Sequence, residues 1–61
     1  MEELKITAYI RRPDGHAFTV YPVKKVDESD LMICVVGPDN KGYIVSPNNV
    51  MFVKEMVPNE N

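Results

Sequence analysis

The stretch that decides the fold is Gly42-Tyr-Ile-Val-Ser-Pro-Asn-Asn-Val-Met-Phe-Val-Lys54. Its pattern predicts a short strand over residues 43–45, a single tight or 3₁₀ turn over residues 46–49, and a last strand over residues 50–55. Both strands are apolar on both faces, whereas a lone small barrel needs to bury only one face of its last strands. We therefore expect another molecule to cover the outer face, most simply a second copy of the chain.

The size of the chain supports the same expectation. Its 61 residues predict one domain over residues 1–61, and a domain of this size buries only about 60 % of the surface that its unfolded chain exposes. A single cysteine, Cys34, excludes an intrachain disulfide, and a single histidine, His16, argues against a Cys/His zinc cluster. Oligomerisation is the remaining source of stability. The predicted oligomer interface consists of Tyr43, Ile44, Val45, Met51, Phe52 and Val53.

The first half of the chain predicts a hairpin. Residues 4–12 alternate between apolar and polar side chains, as in a half-buried strand. Pro13-Asp14-Gly15 is a turn signature, because Pro fixes φ, Asp bonds to the nearby backbone and Gly accepts a positive φ. Residues 16–26 predict the second strand, and Pro22 indicates that this strand reaches an edge or bends there.

The middle of the chain predicts a third strand. Residues 31–36 are six consecutive apolar residues between turn residues, which predicts a strand buried on both faces with Cys34 in the core. Residues 37–42 form the next hairpin loop, and residues 58–61 are expected to fray. Five short strands joined by tight turns predict an all-β fold, a small and strongly bent antiparallel barrel, because an open sheet would leave too little core.

Charge and composition narrow the function. Seven Lys and Arg stand against nine Asp and Glu, so no global positive field attracts nucleic acid and any such contact must be local. The N-terminus lacks the pattern of a signal peptide, and no apolar run approaches the ~20 residues of a membrane span. We expect a cytoplasmic protein without a membrane partner, and the lone cysteine fits a reducing compartment.

Two families of small barrels end in this way. The Src-homology-3-like domains carry a Gly-hydrophobic-hydrophobic-Pro-x-Asn-x-Val ending, which residues 42–50 resemble with one extra residue. The aromatic row with which those domains grip proline-rich peptides has no counterpart here, since the chain contains no tryptophan. The peptide-binding function of that family is therefore not expected.

Residues 4–56 resemble the Sm and Sm-like family, including the bacterial Hfq branch, over more of the chain. The shared order is strand, turn ending in Gly, strand, Asp, apolar strand, variable loop, short strand, break and last strand, with Asp14-Gly15 as the turn and Asp27 as the Asp. The resemblance implies a ring of about five to seven copies. In this family the fourth strand of one subunit pairs with the fifth strand of the next, which would cover the outer apolar face.

The resemblance also implies that the ring binds or scaffolds RNA. Ser29 stands where the family has a stacking ring, and Ser46-Pro47 or Pro47-Asn48 stands where it has a cationic pair, so this chain lacks both features of the family's uridine pocket. The positions that match the pocket are Asp27, Ser29, Asp30, Ser46, Asn48 and Asn49.

Two pairs of cations are candidates for phosphate contact. Lys24-Lys25 and Arg11-Arg12 each either touch phosphate or form a solvated strand end. A ring would repeat such a pair around its axis, and salt-dependent affinity grows with the number of phosphates contacted.

No pattern predicts catalysis, a metal or a cofactor. His16 has no second ligand at a suitable spacing, Cys34 lies in an apolar run, and the acidic residues 27–30 lack the ligand order of a calcium loop. We expect neither enzyme activity nor a small-molecule substrate. The competing interpretation is a small protein-interaction module or inhibitor, of the phage type, that adds a strand to a host protein.

Overall fold

The computed structural model describes residues 1–58, which form six strands and one 3₁₀ turn. The strands make two three-stranded antiparallel sheets, a first sheet in the order β2-β1-β6 and a second sheet in the order β3-β4-β5. The all-β prediction is therefore confirmed. The elements are β1 Glu2–Arg11, β2 Ala17–Val20, β3 Lys25–Glu28, β4 Ile33–Val36, β5 Gly42–Val45, the 3₁₀ turn Pro47–Asn49 and β6 Val50–Pro58.

The turn after β1 forms as predicted. The N–H of Arg12 donates to the carbonyl of His16 at 2.7 Å, and the N–H of Gly15 donates to the carbonyl of Arg12 at 3.0 Å. Asp14 Oδ1 accepts the N–H of His16 at 3.0 Å. Gly15 has φ of 93°, a conformation that glycine adopts without steric cost. The Pro-Asp-Gly signature thus closes the β1–β2 hairpin.

The predicted second strand is divided between the two sheets. β2 ends at Val20 and β3 begins at Lys25, so the structure has six strands where the sequence predicts five. The interruption contains Pro22, whose nitrogen has no hydrogen to donate to a ladder. The expected bend at this proline is present, and it is sharp enough to end one strand and begin another.

The segment between β2 and β3 bonds to both sheets. The N–H of Val23 donates to the carbonyl of Ile6 in β1 at 2.8 Å. The N–H of the next residue, Lys24, donates to the carbonyl of Val36 in β4, also at 2.8 Å. Two consecutive residues therefore hold the two sheets together at this corner.

The core is small and both sheets contribute to it. In β1, Ala8 and Ile10 are buried while Tyr9 between them is exposed, which confirms the predicted alternation over residues 8–11. Leu4, which the same alternation places inward, is 50 % exposed. The buried residues are Ala8, Ile10, Val20, Ile33 and Val35, and the partly buried residues packed around them are Phe18, Val23, Val26, Tyr43, Val45, Val50 and Phe52.

The strand predicted over residues 31–36 is shorter and less buried than expected. β4 starts at Ile33, and Leu31 and Met32 are exposed in the preceding turn. Ser29 sets this turn, because its N–H donates to the carbonyl of Met32 at 2.9 Å and its Oγ bonds to the same residue. The apolar run therefore begins in a turn and not in a strand.

Cys34 lies on the outer face of the second sheet and not in the core. It is half-buried, and its strand neighbours are Asp27 on β3 and Ile44 on β5. The prediction of a core thiol fails because β4 alternates, so that only every second residue of the apolar run turns inward.

The last strand is longer than predicted. β6 pairs with β1 along its whole length, from Val50 opposite Ile10 to Pro58 opposite Glu2. Pro58 therefore belongs to the strand and not to the fraying tail that the sequence predicts. The rest of that predicted tail, residues 59–61, lies outside the described residues.

Candidate functional site

β5 and β6 are both edge strands within residues 1–58. β5 pairs only with β4, and β6 pairs only with β1. The other side of each strand offers N–H and C=O groups without a ladder partner, which is a template for pairing with another chain. These are the two strands that the Sm-like resemblance pairs between subunits.

The predicted interface residues divide into an outer and an inner set. Ile44 on β5 is 70 % exposed, and Met51 and Val53 on β6 are 61 % and 42 % exposed. The inner set is half-buried against the core and consists of Tyr43, Val45 and Phe52. The outer set gives both free edges an apolar outward face.

An open cleft of about 890 Å³ runs along β5, and we call it the β5 cleft. Phe18 and Tyr43 line it with their ring centroids 5.0 Å apart. The guanidinium carbon of Arg12 lies 4.8 Å from the centroid of Phe18, within the range of a cation–π contact. Arg11 and Lys41 complete the basic lining.

The β5 cleft is positively charged. Among the described residues, no carboxylate lies within 4.0 Å of a charged nitrogen of Arg11, Arg12 or Lys41. Asp14 also lines the cleft, but its carboxylate is bonded to His16. The pKa of the Asp14 carboxyl lies below its ordinary value of 3.8, mainly because the main-chain N–H of His16 donates a hydrogen bond to it. The cations thus outnumber the acid on this surface.

The residues predicted for RNA contact lie in different parts of the second sheet. The register places Glu28 level with Ile33 and Val45, so the β3–β4 turn and the 3₁₀ turn share one end of the sheet. Lys25 is level with Gly42 at the opposite end. The end with the two turns carries Ser29, Asp30, Ser46, Asn48 and Asn49, the opposite end carries Lys24 and Lys25, and Asp27 lies on the outer face between them.

Both lysines of this set have polar partners within the chain. Lys25 Nζ lies 3.5 Å from a carboxylate oxygen of Asp27. Lys24 Nζ donates to Oδ1 of Asn40 in the β4–β5 turn. Each of the two lysines that the sequence offers for phosphate contact thus lies beside a side-chain oxygen of its own chain.

The two serines of the set support turns. Ser29 Oγ donates to the carbonyl of Met32 at 3.0 Å, and Ser46 Oγ accepts the N–H of Asn48 at 3.4 Å. The latter contact caps the 3₁₀ turn. Both hydroxyls therefore have a structural role, because each makes a hydrogen bond within its own turn.

A second cleft, of about 370 Å³, lies on the outer face of the first sheet, and we call it the Tyr9 cleft. The alternation of the first strand places Tyr9 only on its polar side. The signal that could have revealed the cleft is the spacing of Tyr9 and Arg11, because residues two apart on a strand share a face. The side chains that characterise it belong to Tyr9, Arg11, Thr19, Asn48, Asn49 and Met51.

Two further classes of site find no candidate within residues 1–58. No three His, Cys, Asp or Glu side chains come close enough together to hold a metal ion. The same part of the chain contains no helix with the length and apolar character needed to cross a bilayer.

Comparisons with known proteins do not assign the chain to a family. No family model matches it, and neither a curated protein nor a solved structure matches it significantly.

Proposed function

We propose that the chain is a cytoplasmic Sm-like barrel protein that assembles into a ring of about five to seven copies and binds single-stranded RNA without catalysis. The observation that carries the proposal concerns β5 and β6, two of the four edge strands of the described residues. β5 and β6 each have an unpaired side within residues 1–58 and an apolar outer face. A contact between two different edges is head-to-tail, and such a contact closes into a ring when the rotation between copies permits it.

The barrel part of the proposal is supported by the corner between the sheets. Val23 bonds to β1 and Lys24 bonds to β4, so one continuous segment serves both sheets. The 3₁₀ turn Pro47–Asn49 makes the second connection, since it links β5 of the second sheet directly to β6 of the first. Strands that bend from one sheet into the other are how small barrels build a core from few residues.

The side chains favour one antiparallel register between β5 of one copy and β6 of the next. A continuous sheet keeps outward side chains on one face, so register changes in steps of two residues. Pairing Ile44 with Val53 of the neighbour places two apolar side chains together on the outer face. The same register places Val45 opposite Phe52 of the neighbour, and it brings Glu55 of the neighbour opposite Gly42, beside Lys41.

Light scattering on a sizing column tests the assembly. We expect the purified chain at micromolar concentration to have the mass of about five to seven copies. A monomer at that concentration would remove the ring from the proposal.

Fluorescence anisotropy of a labelled oligouridine tests RNA binding. We expect saturable binding that weakens as the salt concentration rises, because phosphate contacts release counterions. A ring that binds no oligouridine even at low salt would contradict RNA binding and leave assembly intact.

The β5 edge also favours a second candidate function, strand addition to a different protein. Its four residues, Gly42–Val45, carry no charge, and the neighbouring cations Arg11, Arg12 and Lys41 suit an extended acidic segment. This module would be monomeric or dimeric alone. Scattering separates the two functions, because only the ring requires the isolated chain to assemble.

A further inference from the structure

We propose that one nucleotide of single-stranded RNA binds in the Tyr9 cleft, with its base against the ring of Tyr9 and its phosphate at Arg11. This proposal rests on the RNA-binding part of the proposed function. It moves the site from the positions that the Sm-like resemblance implies to the outer face of the first sheet. It also supplies the two features that those positions lack, an aromatic ring and a cation.

The sheet register brings the ring and the cation together. Tyr9 and Arg11 are two residues apart on β1, so they share the outer face at a spacing of about 7 Å. Their partners on β2 are the small residues Thr19 and Ala17, which leave room above the sheet. On the other side of Tyr9 lies Met51 of β6, an apolar wall for the cleft.

The ring of Tyr9 is available to a ligand. Tyr9 is 45 % exposed on the outer face of the first sheet, so part of its ring faces solvent. Stacking of a base on an aromatic side chain contributes about 1–3 kcal/mol per base, whatever the base. A partly exposed tyrosine beside a cation therefore fits an unpaired nucleotide.

The 3₁₀ turn provides the groups that can contact a base edge. Asn48 and Asn49 line the cleft, and the side-chain amides of neither bond to another described residue. Ser46 holds the turn through the main-chain N–H of Asn48, so the side-chain amide stays available. An amide offers both a donor and an acceptor, as base edges require.

The lining favours a nucleotide over an acidic peptide. An acidic side chain would need only Arg11, whereas the exposed ring of Tyr9 and the amides of Asn48 and Asn49 also suit a base. Arg11 has no carboxylate partner within 4.0 Å among residues 1–58, so its charge is available to phosphate. A volume of about 370 Å³ is at the small end of the range for ligand pockets, which suits one base.

The site is compatible with the proposed ring. A neighbouring strand that pairs with β6 continues the sheet in its own plane. The Tyr9 cleft opens on the face of the first sheet and not at its edge. Each copy in a ring would therefore present one such cleft, and the phosphate contacts of several copies would add along one RNA strand.

The test measures the affinity of labelled oligouridine for the assembled wild-type protein and for variants of two residues. We expect Tyr9→Leu to weaken binding roughly tenfold, because the stacking surface is lost, and Tyr9→Phe to bind within about twofold of wild type. Arg11→Gln should weaken binding and reduce its dependence on salt, while Arg11→Lys keeps most of the affinity. Circular dichroism and light scattering establish that each variant folds and assembles.

Lys5→Gln is the matched control, because it removes one positive charge from the same strand at a position outside the lining of the Tyr9 cleft. If Lys5→Gln weakens binding as much as Arg11→Gln, the effect is one of general charge and the proposal is overturned. Unchanged binding by both Tyr9→Leu and Arg11→Gln would place the RNA elsewhere on the protein, leaving RNA binding itself intact.

A second readout locates the ligand directly. Uridine 5′-monophosphate should shift the side-chain amide NMR signals of Asn48 and Asn49 in the wild-type protein and not in Tyr9→Leu. If wild type binds neither oligouridine nor a labelled acidic peptide, the proposed RNA function fails together with this site. Competition of an acidic peptide for the cleft, with no binding of RNA, would replace the nucleotide by a peptide.

Discussion

β3 and β5 are the two edges of the same sheet, and their side chains differ in kind. β3 reads Lys-Val-Asp-Glu, with a charge at three of its four positions, whereas β5 reads Gly-Tyr-Ile-Val and has none. The contrast is sharpest in one outer row, where Asp27 and Ile44 flank Cys34 from opposite sides. Charged residues at an edge discourage pairing with other chains. The β3 edge therefore has charges that oppose such pairing, whereas the β5 edge has none.

Moving a charge onto the β5 edge should have the largest effect. We expect Ile44→Asp to prevent assembly and to weaken association about hundredfold or more, because pairing would place an unpartnered carboxylate against Val53 of the neighbour and remove part of its water. Sedimentation velocity should show a monomer with an unchanged β-sheet spectrum. Lys25→Asp, which puts a carboxylate on the other edge of the same sheet, should assemble like wild type. Assembly of Ile44→Asp at wild-type concentrations would contradict a role for the β5 edge.

The reverse change should open the β3 edge. Asp27→Ile gives β3 an apolar outer residue and also frees Lys25 from its ion pair. We expect Asp27→Ile to form species heavier than the wild-type assembly. These species should appear at a concentration roughly tenfold lower than the concentration at which wild type aggregates. Static light scattering over a concentration series measures this onset. Asp27→Asn removes the charge without adding apolar surface, and it should scatter less than Asp27→Ile.

Exchanging the charges of Lys41 and Glu55 tests the proposed register between neighbouring copies, with a smaller expected effect on association. Lys41→Glu and Glu55→Lys should each weaken association about two- to fivefold, as expected for an exposed ion pair. The double variant should recover the wild-type affinity. An equimolar mixture of the two single variants should also assemble, since each can alternate with the other in a head-to-tail chain. Additive losses in the double variant would exclude this register.

The smallest effect concerns Asp14, in a turn that belongs to neither edge of the second sheet. Its carboxyl has a lowered pKa in the folded chain, so the charged form stabilises the fold fully above pH 3.8 and this contribution is lost as the pH falls below that value. Asp14→Asn should therefore lower the melting temperature slightly at neutral pH and by a smaller amount at pH 2. Thermal melts at both pH values measure the difference, and an equal loss at pH 2 would assign the effect to geometry and not to charge.

Local patterns predicted the parts of the fold that local chemistry determines. The alternation of β1, the Pro-Asp-Gly turn and the strand, 3₁₀ turn and strand of residues 42–55 were all readable from neighbouring residues. The outward apolar side chains of the last two strands followed from the same alternation. Each of these features depends on residues close in sequence.

Local sequence patterns do not predict the features that depend on which strands pair. The division of the second predicted strand at Pro22 depends on which sheet can accept the N–H groups of Val23 and Lys24. The Tyr9 cleft depends on the register of β1 with β6, which pairs Tyr9 with Met51 across most of the chain. The register between strands so far apart in sequence cannot be predicted from local sequence. Side-chain periodicity predicts the face of the sheet on which a residue lies, but not the residue that pairs with it on the next strand.

The pairing of Glu2 with Pro58 has a practical consequence for anything attached to this domain. A segment joined before residue 2 and a segment joined after residue 58 would leave from the same corner, side by side. A pair of reporter groups on the two extensions would therefore sit close together whenever the domain is folded and separate when it unfolds. Energy transfer between a donor on one extension and an acceptor on the other would therefore report whether the domain is folded.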